Sequence, residues 1–356
     1  MKKISGYLEI TPKGFGFLRS LDSHFLPSPE DIYVPMNLIR VHGLKNGSFV
    51  SGEAEVQEGS KKKPRLARVA CINGIEQNKA QQHARFKRQT SINPTQRFNL
   101  ALDGNDVTGH ILNLYTPIGH GQRGLIIAPP KTGKTTILKH IAKAVTENHP
   151  QTKVFVLLVD ERPEEVTDFR RGIPKATVLA SSADESSTNH MRLTRMMMDV
   201  GVQWAEAGSD VVILVDSLTR MGRAYNQHAQ SGGRTLSGGL AANALELPRK
   251  FFGTARNLEH GGSLTIIATI LVDTGSRMDE VIFQEFKGTG NMDLALSVKC
   301  AERRIWPAIH INASGTRRED LLLSEEELQK EARVRSVIGG MNEVEAMSYI
   351  LQKKLY

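Results

Sequence analysis

A loop of small and polar residues, lying between an apolar segment and an amphipathic one, constrains the fold of this chain most. The loop, APPKTGKT at 128–135, follows the apolar triplet 125–127 and precedes apolar residues at helical spacing, Ile137, Leu138 and Ile141. A strand, a loop ending in Gly-Lys-Thr and a helix are the context of a phosphate-binding loop. Backbone N–H groups of such a loop point at phosphate oxygens. The sequence therefore predicts an α/β nucleotide-binding domain.

Polar side chains in this loop and in two later segments match the needs of a magnesium nucleotide. Lys134 would place its charge at the β- and γ-phosphates, and Thr135 would offer its hydroxyl to Mg²⁺. Asp216 ends the apolar run 211–215 and would hold the same ion through water. Glu161 follows another apolar run and is the candidate for polarising the attacking water. We therefore expect ATP and Mg²⁺ as ligands, with Thr135 and Asp216 at the metal.

Strand-like and helix-like segments alternate from residue 107 onward, which indicates a mainly parallel sheet covered by helices. The predicted strands, all apolar runs, are 124–128, 154–159, 211–215 and 264–271. The predicted helices are 135–147, 164–171, 188–207 and 240–258, and two more within 324–354. Glu164 and Glu165 fit the first turn of a helix, where the helix dipole favours acids, better than they fit a catalytic role.

The first 100 residues differ from the rest in pattern and in charge. Short alternating segments broken by Gly, Pro, Asn and Ser over 1–75 predict an OB-type, cold-shock-like β-barrel. The polar stretch 76–106 is predicted to be a linker with one short helix, and 107–356 to form the α/β domain. Residues 1–100 carry 16 Lys/Arg against 8 Asp/Glu, which accounts for the net charge of +8. This surplus predicts a polyanion-binding module, although a merely solvated basic face explains it equally well.

The segment KGFGFLR, which starts at residue 13, is the most specific pattern of the N-terminal module. Phe15 and Phe17 are two residues apart and would share one face of a strand. On an open face they would form a platform for bases, worth roughly 1–3 kcal/mol per stacked base, with Tyr33 as a third ring. Gly14 and Gly16 would let a sugar–phosphate backbone approach. The alternative is that both phenylalanines belong to the barrel core.

Three absences in the sequence bear on where the protein works. No apolar run approaches the ~20 residues that a membrane helix needs. No apolar segment follows the N-terminal MKKISG, so a secretory signal is not expected. Cys71 and Cys300 are far apart and show no metal-binding or redox spacing. We therefore expect a cytoplasmic protein without membrane contact.

Several long segments together resemble the bacterial transcription termination factor Rho family, which are ring-shaped hexameric RNA helicases with a RecA-like ATPase domain. The resemblance covers residues 6–349. The segments that carry it are GFGFLRS (14–20), DIYV (31–34), PIGHGQRGLIIAPPKTGKTT (117–136), LLVDERPEEVTD (157–168), SDVVILVDSLTRMGRAYN (209–226), DTGSRMDEVIFQEFKGTGN (273–291) and SGTRREDLL (314–322).

The resemblance implies roles at the nucleotide site. Arg317 would be an arginine finger that enters the neighbouring subunit's site, supported by Arg304. The catalytic group would be completed by Glu161, Lys134 and Asp216. The implied nucleotide-binding residues are Gly119, His120, Gly121, Gln122, Arg123, Gly124, Lys131, Thr132, Gly133, Lys134, Thr135, Thr136, Arg162 and the adenine-side aromatic Trp306.

The resemblance also implies two RNA sites, one on the barrel and one on loops facing a central pore. The implied barrel contacts are Gly14, Phe15, Gly16, Phe17, Leu18, Arg19, Asp31, Ile32, Tyr33, Lys61, Lys62 and Lys63. The implied pore contacts are Arg234, Thr235 and Arg277. The chain departs from the family at 61–63, where three lysines replace an acid and an aromatic of the base pocket. This change puts pyrimidine preference in doubt and favours salt-sensitive phosphate binding.

The resemblance implies an ATP-dependent RNA translocase that binds nascent single-stranded RNA as a homohexamer and terminates transcription, with RNA polymerase and elongation factors as partners. Two alternatives remain open. One is another RecA-like ATPase, such as a rotary ATPase subunit or a DNA helicase. The other is a divergent paralogue that acts mainly as an RNA- or polymerase-binding regulator.

Overall fold

In a computed structural model of the chain, two β-sheets follow one another along the sequence. The structure describes residues 1–55, 63–76, 89–229, 239–241 and 243–356. Within these ranges, no helix is both long enough and apolar enough to cross a membrane.

The N-terminal sheet closes into a small barrel. Its strands are β1 (Lys2–Ile10), β2 (Gly16–Arg19), β3 (Ile32–Val34), β4 (Phe49–Glu55), β5 (Arg65–Ile72) and β6 (Ile75–Glu76). The order β3-β2-β1-β4-β5-β6 is closed by the pairing of β3 with β5, and helix α1 (Met36–Val41) follows β3. Alternate residues such as Leu8, Leu18 and Val50 point inward and form the core. The predicted OB-type barrel is confirmed.

The second sheet is mainly parallel, in the order β10-β9-β11-β13-β8-β14-β15, with β12 and β7 attached beside β13. Its strands are β7 (Ser91–Ile92), β8 (Arg123–Ala128), β9 (Lys153–Glu161), β10 (Thr177–Ser182), β11 (Val211–Asp216), β12 (Arg256–Leu258), β13 (Ser263–Leu271), β14 (Met292–Ala295) and β15 (Gly315–Thr316). The strands β8, β9, β11 and β13 are buried almost throughout, because helices cover both faces. The predicted parallel α/β domain is confirmed.

Ten helices of the described residues pack on this sheet or beside it. They are α2 (Val107–Tyr115), α3 (Lys134–Asn148), α4 (Pro163–Gly172), α5 (Ser187–Glu206), α6 (Leu218–Ala229), α7 (Glu246–Phe252), α8 (Arg277–Lys287), α9 (Val298–Glu302), α10 (Glu325–Ile338) and α11 (Glu343–Lys353). Ser324 and Asn342 begin α10 and α11 with reciprocal caps, which stabilise the first turn of each helix.

One sequence prediction of secondary structure is wrong, and another falls partly outside the described residues. The helix predicted over 240–258 is only the short α7, because Gly253 ends it and β12 then pairs with β13. The linker predicted over 76–106 has no helix in its described part, 89–106. Instead β7 joins β12, and Phe98 and Leu100 are buried in the core of the α/β domain. Apolar residues of the supposed linker therefore belong to that domain.

The barrel packs against α5, whose length places it beside several barrel loops. Phe49 stacks on Trp204 with 5.6 Å between ring centroids. Lys45 pairs with Glu206 at 2.6 Å, and backbone atoms of α5 lie so close to Gly47 that a Cβ there would clash. An aromatic contact, an ion pair and a close backbone approach thus hold the barrel to the α/β domain.

Candidate functional site: a phosphate loop, an opposite arginine and an aromatic platform

The phosphate loop lies at the carboxyl end of β8 and leads into α3. Gly133 is the N-cap of α3 and has a φ of 87°, which favours glycine. Thr132 is buried, and its hydroxyl donates to the carbonyl oxygen of Pro129 at 2.7 Å, which braces the loop. Lys131 and Thr136 are exposed, and Thr135 is half-buried at the first turn of the helix. The N–H groups of this turn can therefore receive phosphate oxygens.

Lys134 lies between two buried carboxylates. Its Nζ donates to Asp216 Oδ2 at 2.6 Å and is 3.8 Å from Glu161 Oε2. The hydroxyl of Thr269 donates to the other oxygen of Asp216 at 2.8 Å. Both carboxylates come from the carboxyl ends of neighbouring strands, β9 and β11, which places them beside the phosphate loop. The three groups predicted for phosphate, metal and water are therefore brought together.

Glu161 has the environment expected of a general base. Its side chain is fully buried, and Oε2 has no hydrogen-bond partner among the described residues. Burial raises the pKa of the Glu161 carboxyl above its usual range, and the Asp216 carboxylate raises it further. Arg220 opposes this shift through an ion pair at 3.0 Å, and its guanidinium also donates to the carbonyl oxygen of Asp160. A raised pKa brings a carboxylate closer to the basicity that proton abstraction needs.

The donor set at this edge fits Mg²⁺ held largely by a nucleotide. Protein sites of this kind supply one or two oxygen ligands, while phosphates and water complete the octahedron. Asp216 and the hydroxyl of Thr135 supply such oxygens here. The Lys134 ammonium pairs with Asp216, because a buried carboxylate is stable only beside a positive charge.

Trp306 lies against the phosphate loop. One ring carbon is 3.1 Å from the point that a Cβ on Gly133 would occupy, so a larger residue there would press against the ring. The side chain is 45% exposed, and it can therefore offer a face to a base. Arg304 is exposed and lies two residues earlier in the same connection after α9.

Residues 119–124 do not line the phosphate site of their own chain, contrary to the sequence prediction. Residues 119–122 precede β8 and residues 123 and 124 begin it, whereas the loop follows it, so the two segments lie at opposite edges of the sheet. Their groups build the turn into β8: Gly121 has a φ of 88°, its N–H donates to the Thr265 hydroxyl at 2.8 Å, and buried Gln122 donates to Asn291 at 2.8 Å. His120 stacks on Phe98. The predicted residues at this edge are Gly119, His120, Gly121, Gln122, Arg123 and Gly124.

Arg317 is also at this opposite edge. It follows β15, whose Thr316 pairs with Met292, and Met292 in turn pairs with Gly124 at the start of β8. The length of β8 separates this level from the phosphate loop by roughly 17 Å, at about 3.3 Å per residue. Arg317 is exposed and cannot reach the phosphates bound by its own loop.

The same topology separates Arg304 from Arg317. The chain rises along β14, turns through α9 and Arg304, and returns antiparallel to β14 before Arg317. Arg304 therefore lies with Trp306 at the edge of the phosphate loop. The predicted support of Arg317 by Arg304 would therefore involve the Arg304 of the subunit whose site Arg317 enters.

Phe15, Phe17 and Tyr33 form a cluster on the outside of the barrel. Their ring centroids are 5.5–6.0 Å apart, and all three rings are half-buried. The barrel core is instead built by residues of opposite orientation, including Leu18 and Val34. The alternative that the phenylalanines form the core is therefore wrong, and the rings can stack with bases. We call these three side chains the aromatic platform.

Several other residues predicted to bind RNA have structural roles. Leu18 lies in the barrel core, and half-buried Ile32 packs against that core. Arg19 and Asp31 are buried and form an ion pair, while the Arg19 guanidinium is 5.0 Å from the Phe17 centroid. A Cβ on Gly16 would clash with Leu8 at 2.6 Å. These residues support the aromatic platform from behind, because their side chains point away from solvent.

Part of the predicted RNA contacts lies outside the described residues, namely Lys61, Lys62, Arg234 and Thr235. Among the described ones, Arg277 is exposed at the first position of α8. Gly14, before the platform, has a φ of 88°.

Arg162, predicted to bind the nucleotide, is exposed at the N-cap position of α4, and its backbone N–H donates to Glu161 Oε1 at 3.1 Å.

Sequence reasoning missed the arginines of α6. Arg220 contacts Glu161, and one turn later Arg223 pairs with Asp279 at the start of α8. Asp279 also accepts from the Thr274 hydroxyl at 2.6 Å. Helix α6 thereby connects the buried carboxylate of Glu161 to the start of α8, where Arg277 lies. The available signal is the spacing, since Arg220 and Arg223 are three residues apart, one helical turn, shortly after Asp216.

Replacing Phe15 and Phe17 together by alanine is expected to weaken binding of single-stranded RNA about tenfold or more per ring, because each stacked base contributes roughly 1–3 kcal/mol. Fluorescence anisotropy with a labelled oligonucleotide would measure this loss. Val41→Ala, at an exposed apolar residue of the same barrel, is the matched control and should bind normally. Unchanged RNA affinity in the double variant, or loss of the folded barrel, would contradict the assignment of the platform.

The fold and the site define a P-loop ATPase joined to an OB-type barrel, and matching family models agree. The nucleotide-binding domain of the ATP synthase alpha/beta family matches residues 109–316. Among solved structures, an ATPase of a bacterial type III secretion system has a TM-score of 0.61 at 22% identity, covering 70% of each chain. The ATP synthase subunit NeqB of Nanoarcheaum equitans has a TM-score of 0.58 at 16% identity, covering 71% of this chain and 66% of its own. These two similarities concern the fold alone.

The N-terminal barrel narrows the class to one family. The RNA-binding domain of the Rho termination factor matches residues 4–78. Transcription termination factors Rho of Haemophilus influenzae and Pseudomonas aeruginosa are each 48% identical to this chain over 351 residues, which is 98% of this chain and 83% and 84% of theirs. Rho of Aquifex aeolicus is 46% identical over 353 residues, or 98% of this chain and 81% of its own. The chain belongs to the transcription termination factor Rho family and is an NTP-hydrolysing, ATP-binding enzyme with an RNA-binding domain.

Proposed function

We propose that this protein is an RNA-dependent ATPase and translocase that assembles into a ring hexamer on nascent single-stranded RNA in the cytoplasm and terminates transcription. One observation carries the proposal. The groups that bind and attack the nucleotide lie at one edge of the sheet, while Arg317 lies at the other. Because these groups lie at opposite edges, Arg317 can reach a nucleotide only in the site of a second copy of the chain. Contacts of this head-to-tail kind generate rings.

At each interface between two chains, different residues would bind the nucleotide, activate the water and stabilise the transition state. Lys134 and the loop N–H groups would hold the phosphates, and Trp306 would face the base. Glu161 would take the proton of the attacking water. Mg²⁺, held by Thr135 and Asp216, would neutralise phosphate charge. Arg317 of one chain would stabilise the transition-state charge in the site of the next.

Helix α6 gives this chemistry a connection to RNA. Arg220 contacts the catalytic carboxylate, and Arg223 holds Asp279 beside the loop of Arg277. A change in the charge around Glu161 would therefore alter the anchoring of an exposed cation that can contact the RNA backbone. RNA polymerase and elongation factors would be further partners, met while the ring follows the transcript.

The alternatives receive no support from the site. A regulator without hydrolysis would not need a buried base, its arginine partner and a complete phosphate loop. A rotary subunit or a DNA helicase would not need an aromatic platform on a barrel that matches the RNA-binding domain of Rho.

Steady-state ATP hydrolysis with Mg²⁺ tests the proposal, measured alone and with poly(C), poly(U), mixed-sequence RNA or single-stranded DNA. We expect stimulation by RNA and not by DNA. The variant with Phe15 and Phe17 replaced should need more RNA for half-maximal stimulation. Nucleotide binding without stimulation by any RNA would refute the translocase and favour the regulator.

A further inference from the structure

A lysine lies against the aromatic platform. The Nζ of Lys63 lies 5.0 Å from the centroid of the Phe17 ring and donates to the carbonyl oxygen of Ser28 at 2.6 Å. It is also 3.6 Å from Oδ2 of Asp31. The side chain is 38% exposed, so its ammonium group is held over the Phe17 ring and remains accessible to a ligand.

The carboxylates nearest the platform are already engaged by the protein. Asp31 is buried, pairs with Arg19 and accepts from the N–H of Ser28 at 2.7 Å. Glu9 pairs with Arg19 at 2.7 Å and with Arg192 of α5 at 2.6 Å. The charged groups of Lys63 and Arg19 both lie 5.0 Å from the centroid of the Phe17 ring, and of these two only the Lys63 ammonium is accessible to a stacked base, since Arg19 is buried.

An ammonium group distinguishes bases by the polarity of their edges. It has three donors and no acceptor. Uracil at position 4 and guanine at position 6 carry a keto oxygen, which accepts a hydrogen bond, whereas cytosine and adenine carry at these positions an amino group, which donates one. A base stacked on the platform with its exocyclic group toward Lys63 is therefore stabilised when this group is a keto oxygen and repelled when it is an amino group.

We propose that Lys63 is a specificity-determining residue of the barrel, which selects bases with a keto oxygen at position 4 or 6, uracil and guanine, over bases with an amino group there, cytosine and adenine. The inference rests on the proposed function, because it concerns the same RNA site. The cation–π contact and the bond to Ser28 hold the ammonium in place before RNA arrives, so little side-chain entropy is lost on binding. The selection is a hydrogen-bond effect and adds to the unselective attraction of phosphates.

The test compares affinities of the full chain for labelled oligoribonucleotides of one length, measured by fluorescence anisotropy. The probes are oligouridylate, oligocytidylate and an oligomer of 2-pyrimidinone ribonucleotides, which has neither a keto nor an amino group at position 4. We expect the order uracil, then pyrimidinone, then cytosine. In Lys63→Met the ratio of uracil to cytosine affinity should fall on the order of tenfold, the effect of one charge-assisted hydrogen bond that is partly exposed. Lys63→Arg should keep the preference.

A matched control separates selection from general charge. Lys3→Met removes an exposed lysine elsewhere on the barrel. It should lower the affinity for all three probes alike and leave their ratio unchanged, since phosphate attraction does not depend on the base.

Each remaining outcome decides against the proposal. Equal affinities, or preference for cytosine in the unmodified chain, would overturn the role of Lys63. An unchanged ratio in Lys63→Met would do the same while leaving RNA binding itself intact. If none of the probes is bound, the proposed function fails as well, so the two failures are distinguishable.

Discussion

Arg317→Ala is expected to lower the rate of ATP hydrolysis by about 10³-fold or more while nucleotide affinity stays nearly unchanged. Arg317 is level with the start of β8 and is separated from the phosphate loop of its own chain by the length of this strand, roughly 17 Å along the backbone. It can therefore act only on a nucleotide held by a neighbouring copy, where it would stabilise charge that develops in the transition state. Turnover under saturating ATP and RNA, together with binding of a labelled nucleotide, would measure the two effects separately.

The neighbouring Arg318 provides the control. It is exposed and pairs with Asp320 at 2.9 Å, so Arg318→Ala should hydrolyse ATP at nearly the normal rate. Mixing offers a sharper test of action between chains. Arg317→Ala chains retain a working phosphate loop, and Lys134→Ala chains retain the arginine, so mixed rings should regain activity that neither variant has alone. Normal turnover in Arg317→Ala, or no recovery on mixing, would refute the assignment.

Glu161→Gln is expected to lower the hydrolysis rate by about 10²–10⁴-fold, which is the usual contribution of a general base. The amide retains the size of the side chain but cannot take a proton from water. Binding of nucleotide should persist, because Lys134 and the loop N–H groups are unchanged. Rapid-mixing measurement of a single turnover would show whether the chemical step is the one that slows.

The pH dependence of this step follows from the environment of Glu161. Burial and Asp216 raise its pKa above the usual value. The protonated carboxyl cannot accept a proton, so the rate should fall as the pH drops through this raised pKa and should level off above it. The fall should be absent in Glu161→Gln. Glu164→Gln, at an exposed acid in the first turn of α4, should keep both rate and profile. A rate in Glu161→Gln close to normal would show that another group takes the proton.

The sequence predictions are accurate where a feature depends on residues that are close together in the chain. The phosphate loop, Glu161 and Asp216 were located correctly at the edge of the sheet because each lies directly after an apolar strand. Parallel strands end at the same edge, so local pattern brings such residues together. The barrel was found for a similar reason, since strand alternation is a local signal.

Errors arose where orientation depends on distant residues. Leu18 and Phe17 are neighbours in one aromatic and apolar motif, and only closure of the barrel decides which of them points inward. The resemblance implies that Arg19 and Asp31 contact RNA, and only their burial as an ion pair shows that they support the rings.

The sequence by itself determined which chemical groups this protein has: a loop for phosphates, two carboxylates after strands, an aromatic pair and a basic N-terminal region. Strand, loop and helix patterns specify these because neighbours in the chain remain neighbours in space. Only the tertiary structure decided which groups can meet. The order of β8, β14 and β15 places Arg317 and residues 119–124 opposite the phosphate loop, since hydrogen bonding between distant strands sets the edge at which each residue lies.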